Sequence, residues 1–212
     1  PEIKKKAVKN YGGDIIFCKH NMKSRIEHAN KVIEKTGAVL IHPFDDYRII
    51  TGQATAALEL LKTHPDLDIM LAPVSGGGLM SGTALSSKYH SRSIKVYGAE
   101  PAGADDAYQS FKAGKIIPLV EANTIADGLR ASIGELTFPI IKKYVDDIIL
   151  VEEDEIINAM RTIWEYMKII IEPSSAVPVA VLLEKKIKMK GKKIGVILSG
   201  GNVDLDRLPW NN

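Results

Sequence analysis

Short β-rich runs alternate with helical patterns along most of the chain. The β-rich runs fall at residues 15–18, 38–41, 69–74, 95–99, 148–151 and 193–198. Helical patterns lie between them, at residues 24–35, 53–62, 79–89, 105–112 and 152–167. This alternation favours a parallel sheet whose faces are covered by helices. We therefore predict an α/β fold.

Composition limits the function classes. Of 212 residues, 45% are hydrophobic, enough for one large domain or one domain plus a small one. The 28 basic and 26 acidic residues leave a net charge of +2, and no basic stripe favours a nucleic-acid partner. The single cysteine, Cys18, excludes an internal disulfide, and no long apolar run or secretory leader indicates a membrane or export. We predict a cytoplasmic protein.

The start of the chain is unusual. Its first residue is Pro1, and a helical pattern through Ile3 and Val8 follows at once before Gly12 and Gly13 end it. We expect a cut inside a longer chain, with an N-terminal part missing.

A glycine-rich turn follows the run at residues 69–74. Its sequence, Ser-Gly-Gly-Gly-Leu at residues 75–79, leads directly into a helical pattern. Residues without Cβ let the backbone wrap an anion, and the helix N-terminus supplies free N–H groups and a favourable dipole. The turn predicts a phosphate site. A merely flexible turn is the alternative, but ordering three adjacent glycines costs conformational entropy.

A dinucleotide site is a second alternative. Glu100 ends the next β-rich run, about where a ribose-binding acid is expected. However, Ser81 stands where the third glycine of that motif belongs, and the acids after Glu100 have no role in ribose binding. The dehydrogenase interpretation is therefore disfavoured.

Six motifs resemble the serine racemase and threonine dehydratase family in order and spacing. They are SGGGL (75–79), YGAEP (97–101), ADD (104–106), TIADG (124–128), IEP (171–173) and SGGN (199–202). The resemblance implies a fold-type II pyridoxal-phosphate enzyme, similar to the tryptophan synthase β subunit, with a twisted, parallel-rich sheet flanked by helices. Residues 1–45 would be the remainder of a small domain, and residues 46–212 the bulk of the large cofactor-binding domain.

The resemblance also implies an activity. The first hypothesis is β-elimination of L-serine or L-threonine to a 2-oxo acid and ammonia by a homodimer, and serine racemisation is the alternative. A third hypothesis is a truncated, non-catalytic homologue that binds phosphate or a metal. The family's Schiff-base lysine, in a Ser-Phe-Lys motif near the chain start, is absent. Lys112 imitates it in Ser110-Phe111-Lys112 but falls outside the implied active site. The polypeptide by itself is expected to be inactive.

The cofactor contacts implied by the resemblance lie at two turns. The backbone of the first turn would hold the phosphate of pyridoxal 5′-phosphate, through Ser75, Gly76, Gly77, Gly78 and Leu79. Ser75 replaces the family's usual glycine, and its hydroxyl is expected to add a hydrogen bond. Ser199 would meet the pyridine nitrogen, where a hydroxyl cannot hold a proton as a carboxylate does.

Two further sites are implied. Glu100, the Ala104 carbonyl and Asp106 would bind Mg²⁺ or Ca²⁺, which prefer oxygen ligands; alternatively, Asp105 and Asp106 cap a helix and Glu100 is solvated. A nucleotide effector such as ATP would contact Lys168 and Asn202, although a helix end and a turn explain both residues without a ligand.

Two positions near the implied active site are also of interest. Glu172 matches a buried acid of the family. Phe44 stands where some racemases have asparagine, so that contact differs here.

Overall fold

The computed structural model describes residues 1–19 and 22–211. Three helices precede the first strand: α1 (Glu2–Asn10), α2 (Met22–Thr36) and α3 (Tyr47–Thr63), then β1 (Ile69–Pro73). The middle of the chain forms α4 (Gly78–His90), β2 (Lys95–Pro101), α5 (Asp106–Ala113), α6 (Thr137–Tyr144) and β3 (Asp147–Val151). The last elements are α7 (Glu153–Met167), α8 (Pro173–Leu183) and β4 (Ile194–Val196). Short 3₁₀ turns lie at Ala102–Ala104 and Asp127–Leu129.

The described strands form one parallel sheet in the order β3-β2-β1-β4. In its register, Leu71 of β1 lies between Tyr97 of β2 and Val196 of β4. Every residue of β1 is buried, as expected for a central strand with helices on both faces. The α/β prediction is confirmed.

Two apolar layers cover the sheet, because successive strand residues point to opposite faces. Leu71 packs into one layer with α7 and α8, where Ile156 and Val177 are fully buried. Met70 packs into the other layer, which includes Met80 of α4. The buried face of α7, formed by Ile156, Ala159, Met160 and Ile163, is thus part of the core.

Helix α8 is apolar around its whole circumference, which is typical of a buried helix. All of its residues from Pro173 to Val181 are buried. Among the described residues, no helix is both long and apolar enough to cross a membrane.

The predicted strands at residues 15–18 and 38–41 are wrong, since neither segment forms a strand. Both lack regular secondary structure and expose large apolar side chains, including Phe17 (70% exposed) and Val39 (74%). A strand requires a hydrogen-bonded neighbour, and no described strand lies beside either segment. The division between residues 45 and 46 into two domains stays a prediction.

Candidate active site

A cleft of about 410 Å³ opens where β1 and β4 end. These strands are neighbours in a parallel sheet, so their carboxyl ends and following turns meet at one edge. The glycine turn, Ser199 and Glu172 all line this cleft. The structure therefore brings together both predicted cofactor-binding turns, which are more than 100 positions apart in the sequence.

The backbone conformation and the neighbouring side chains both require a glycine at the centre of the glycine turn. Gly77 has φ +95°, a region that other residues rarely adopt. A Cβ there would lie 2.7 Å from Thr137 Oγ1 and 2.9 Å from Ile141 Cδ1. The missing side chain of Gly77 thus points to α6, whereas a Cβ at Gly76 would meet the Phe44 ring at 2.4 Å.

The backbone of this turn offers free donors. Among the described residues, the N–H groups of Gly76 and Gly77 have no hydrogen-bond acceptor, although both residues are buried. The carbonyl group of Gly76 is already hydrogen-bonded. Gly76 O accepts from Thr137 Oγ1 at 2.7 Å and from Gly134 N at 3.1 Å. Buried amides without partners at the start of α4 fit a phosphate group.

The Ser75 hydroxyl is engaged elsewhere. It donates to Ala131 O at 2.8 Å and accepts from Ala131 N at 3.0 Å. Its one proton goes to Ala131 O, so the expected hydrogen bond to the phosphate requires this hydroxyl to turn and stays a prediction. In this structure Ser75 anchors the glycine turn to residue 131.

Ser199 is exposed to the cleft. Its hydroxyl oxygen lies 3.2 Å from that of Ser175, in the first turn of α8. Glu172 precedes α8 and is buried, as the family resemblance implied.

Lys4 of α1 lies next to Glu172, one of the residues that line this cleft. Its Nζ lies 2.7 Å from Asp127 Oδ2 and 3.3 Å from Glu172 Oε2. The second contact is not aligned as a hydrogen bond, so Glu172 Oε2 is buried without a hydrogen-bond partner among the described residues. Burial alone would lower the pKa of Lys4, but the bond to Asp127 and the charge of Glu172 outweigh it and raise that pKa.

The predicted metal ligands form a buried acidic pair. Glu100 is fully buried, and its carboxylate accepts from Ala107 N at 3.0 Å and Tyr108 N at 2.7 Å. Asp106 accepts from Ile133 N at 2.8 Å. Burial raises the pKa of Glu100 well above its usual range, and raises the pKa of Asp106 to about 6.

The alternative for this region is wrong in its detail. Glu100 is not solvated, and it is Glu100 rather than Asp105 that caps α5; the Asp105 carboxylate accepts from Gln109 Nε2 instead. No Lys or Arg pairs with either buried acid among the described residues, so the pair fits an added cation. Within residues 1–19 and 22–211, no group of three or more His, Cys, Asp or Glu side chains is arranged to hold a metal ion.

The proposed nucleotide contacts are exposed. Lys168 ends α7 in the left-handed conformation (φ 59°), and its Nζ donates to Glu165 O at 2.6 Å. Asn202 lies in the turn after β4. Lys112 pairs with Asp147 at 2.8 Å, outside the cleft, as expected for a lysine without a cofactor role.

Sequence reasoning missed several cleft residues. Arg25 and Gln53 line the cleft from α2 and α3, where no motif marks them. Asp45 accepts from the backbone N–H groups of residues 135, 136 and 137 and so fixes the loop behind the glycine turn. An acid followed by a helical pattern gives no signal for such a long-range contact.

The comparisons with known proteins agree with this geometry. The family described as "Pyridoxal-phosphate dependent enzyme" matches residues 1–200. The chain is 50% identical over 217 residues to serine racemase from Arabidopsis thaliana, covering 100% of this chain and 65% of that protein. It is 46% identical over 211 residues to beta-hydroxyaspartate dehydratase from Paracoccus denitrificans (strain Pd 1222), covering 100% and 67%.

The solved structure of maize serine racemase matches with a TM-score of 0.93 at 48% identity, covering 97% of this chain and 64% of that one. The chain thus spans about 65% of the length of the Arabidopsis relative. Each of these relatives contains a further part with no counterpart in the 212 residues.

Proposed function

We propose, on the premise that this chain belongs to the pyridoxal-phosphate-dependent enzyme family, that it carries the cofactor cleft of an amino-acid racemase or dehydratase. Serine racemisation is the first proposal, because relatives of that name are 50% and 48% identical to this chain. This reverses the order of the sequence analysis, which placed elimination first.

The observation that carries the proposal is the pair of turns at one sheet edge. The buried N–H groups of Gly76 and Gly77 bind the phosphate, and α4 adds its N-terminal dipole. Ser199 lines the same cleft and would hold the ring nitrogen. When bound, pyridoxal phosphate withdraws electrons from Cα of an amino acid, so that a proton there becomes removable.

The side chains of this chain orient the ligand and leave the transfer of that proton to other groups. Ser199 offers a hydroxyl, and a hydroxyl cannot keep the ring nitrogen protonated. The cofactor ring would therefore withdraw electrons less strongly than a protonated ring. Phe44 packs on the glycine turn and shields it from water. None of the described residues that line the cleft is a lysine, and the polypeptide alone is proposed to be inactive.

Elimination is the second proposal, and the Paracoccus dehydratase favours it. Arg25 lines the cleft, and a guanidinium suits a substrate that carries a second carboxylate. Net loss of ammonia from serine gives pyruvate, and from β-hydroxyaspartate gives oxaloacetate.

A divalent cation at Glu100, Ala104 and Asp106 is a further proposal. Two buried carboxylates without a basic partner favour Mg²⁺ or Ca²⁺. Binding to the native state raises stability, so millimolar Mg²⁺ should raise the melting temperature, and Asp106→Asn should abolish the rise. A nucleotide effector at Lys168 and Asn202, the homodimer and the cytoplasmic location stay predictions.

The activity test uses the protein produced from the intact coding sequence. It is incubated with L-serine, L-threonine or β-hydroxyaspartate, with and without added pyridoxal phosphate. We expect D-serine, detected by chiral chromatography, together with a smaller amount of 2-oxo acid and ammonia. A protein that retains the cofactor but yields neither product would contradict both proposals and leave the non-catalytic homologue.

A further inference from the structure

A second serine, Ser175, stands behind Ser199 in the wall of the cleft. It lies in the first turn of α8 and is fully buried. Ser175 Oγ accepts from Gly200 N at 2.6 Å and donates to Gly200 O at 2.6 Å. The hydroxyl therefore binds both backbone polar groups of Gly200, the residue that directly follows Ser199. Gly200 O also accepts from Glu172 N at 3.0 Å, which anchors the turn to α8 a second time.

The proton positions follow from the hydrogen-bonding capacity of these groups. A serine hydroxyl has one proton and two lone pairs. Gly200 N–H occupies one lone pair of Ser175, because an amide N–H only donates. The Ser175 proton goes to Gly200 O, which is 2.6 Å away, rather than to Ser199 Oγ at 3.2 Å.

The Ser199 proton then has two destinations. One is the remaining lone pair of Ser175, but 3.2 Å is long for a hydroxyl pair, whose usual separation is about 2.7–2.8 Å. The other is an acceptor in the cleft, to which Ser199 is exposed. The weak competing contact leaves Ser199 ready to donate into the cleft.

We propose that Ser175 is a positioning residue for Ser199. It fixes the peptide between Ser199 and Gly200, so that the Ser199 hydroxyl donates to the ring nitrogen of the cofactor. This proposal rests on the proposed function, which places that nitrogen at Ser199. None of the six family motifs includes residue 175, and sequence reasoning gave it no role.

The test measures one contact by comparing two ligands. The first is 4′-deoxypyridoxine 5′-phosphate, in which a methyl group replaces the aldehyde, so that no lysine is needed for binding. The second has CH in place of the ring nitrogen. Because the phosphate is common to both, the ratio of their Kd values reports the contact at the nitrogen. One neutral hydrogen bond predicts a ratio of about five-fold for the unmodified chain.

Variants of Ser199 and Ser175 distinguish a positioning role from a general effect on stability. Ser199→Ala should abolish the preference, and Ser175→Ala should reduce it to about two-fold or less. In the double variant no further loss is expected, because the two residues act on one contact. Ser175→Cys, which keeps the volume but bonds weakly, should behave like the alanine variant, and Ser175→Thr should restore the preference.

Ser110→Ala is the matched control. Ser110 is also fully buried and bridges a backbone segment, since it accepts from Ile117 N at 2.8 Å and donates to Ile117 O at 3.3 Å. It does not line the cleft. Its loss should lower stability yet leave the ligand ratio unchanged, which separates a general packing effect from positioning.

Hydrogen exchange at the Gly200 amide gives a readout without ligand, and Ser175→Ala should accelerate it while Ser199→Ala should not. If Ser175→Ala keeps the five-fold ratio, the positioning role is overturned while the proposed function stands. If the unmodified chain binds both ligands equally, the donation by Ser199 is overturned. If it binds neither ligand, the proposed function fails and this proposal fails with it.

Discussion

Gly77 carries two constraints at once. Its positive φ requires a residue without Cβ, and its contacts with Thr137 and Ile141 leave no room for one. A side chain at this position would run into α6 rather than into the space for the phosphate, because the Cβ direction leads to α6. The residue therefore serves the packing of the loop, and its amide serves the ligand.

Gly77→Ala should lower the free energy of unfolding by about 2–4 kcal/mol, from backbone strain plus the contact with Thr137. Gly114→Ala is the control, because Gly114 also has positive φ (72°) but nothing lies within 4 Å of its Cβ position. It should cost only the strain, about 1–2 kcal/mol. Urea unfolding measures both. Equal losses would show that Thr137 yields, and the packing argument would be wrong.

Helix α1 depends on polar contacts for its attachment, since none of its residues is buried. Asp204 accepts from Glu2 N at 3.0 Å and Ile3 N at 2.8 Å, and these backbone bonds lower the pKa of Asp204. Lys4 attaches the helix at a second point, through its hydrogen bond to Asp127. The helix is thus attached to Asp127 and to the segment after β4.

Asp204→Ala should release α1 and increase hydrogen exchange in residues 1–10, because the helix loses the acceptor for its first N–H groups. Asp206→Ala, two residues away, should leave that exchange unchanged. Mass spectrometry of peptides from both variants measures this. If α1 stays equally protected from hydrogen exchange in Asp204→Ala, the contact of Lys4 alone is enough to hold the helix in place.

The elements differ in how well the sequence predicted them. Periodicity located α7, and the glycine turn located the start of α4. Helix α8 went unpredicted because it is apolar all round and contains Pro178, so it has no amphipathic pattern. The strand patterns at residues 15–18 and 38–41 are locally sound, but a strand also needs a partner that sequence periodicity does not supply.

The candidate site divides in the same way. Motifs found Ser75–Leu79, Ser199 and Glu172, because glycine and acid patterns are local. Asp45, Arg25 and Ser175 went unnoticed, because their roles arise from contacts across many positions. The role of Glu100 and Asp106 as metal ligands stays a prediction, and the burial of these acids and the capping of α5 by Glu100 followed only from the three-dimensional arrangement.

At the scale of the whole molecule, the fold-type II architecture is confirmed by the match to the maize enzyme over 97% of this chain. Residues 15–18 and 38–41 form no strand and leave large apolar side chains exposed to solvent. Phe17 and Val39 offer apolar surface, and no strand pairs with either segment among the described residues, a combination that favours association.

We expect the 212-residue chain to self-associate and to bind a hydrophobic dye through these segments. Replacing Phe17 and Val39 with threonine should reduce both effects without lowering the melting temperature. Val120→Thr is the control, because Val120 is 100% exposed but lies outside both segments. Sedimentation velocity and dye fluorescence report the outcome; a monomeric chain that binds no dye would refute this expectation.

The central claim is that the glycine turn holds the cofactor phosphate. An amide NMR titration of the chain with 4′-deoxypyridoxine 5′-phosphate, and with the same compound lacking phosphate, tests it directly. The account predicts that the amide signals of Gly76 and Gly77 shift strongly and saturably with the phosphorylated compound only. Equal shifts with both compounds, or shifts confined to other parts of the chain, would contradict it.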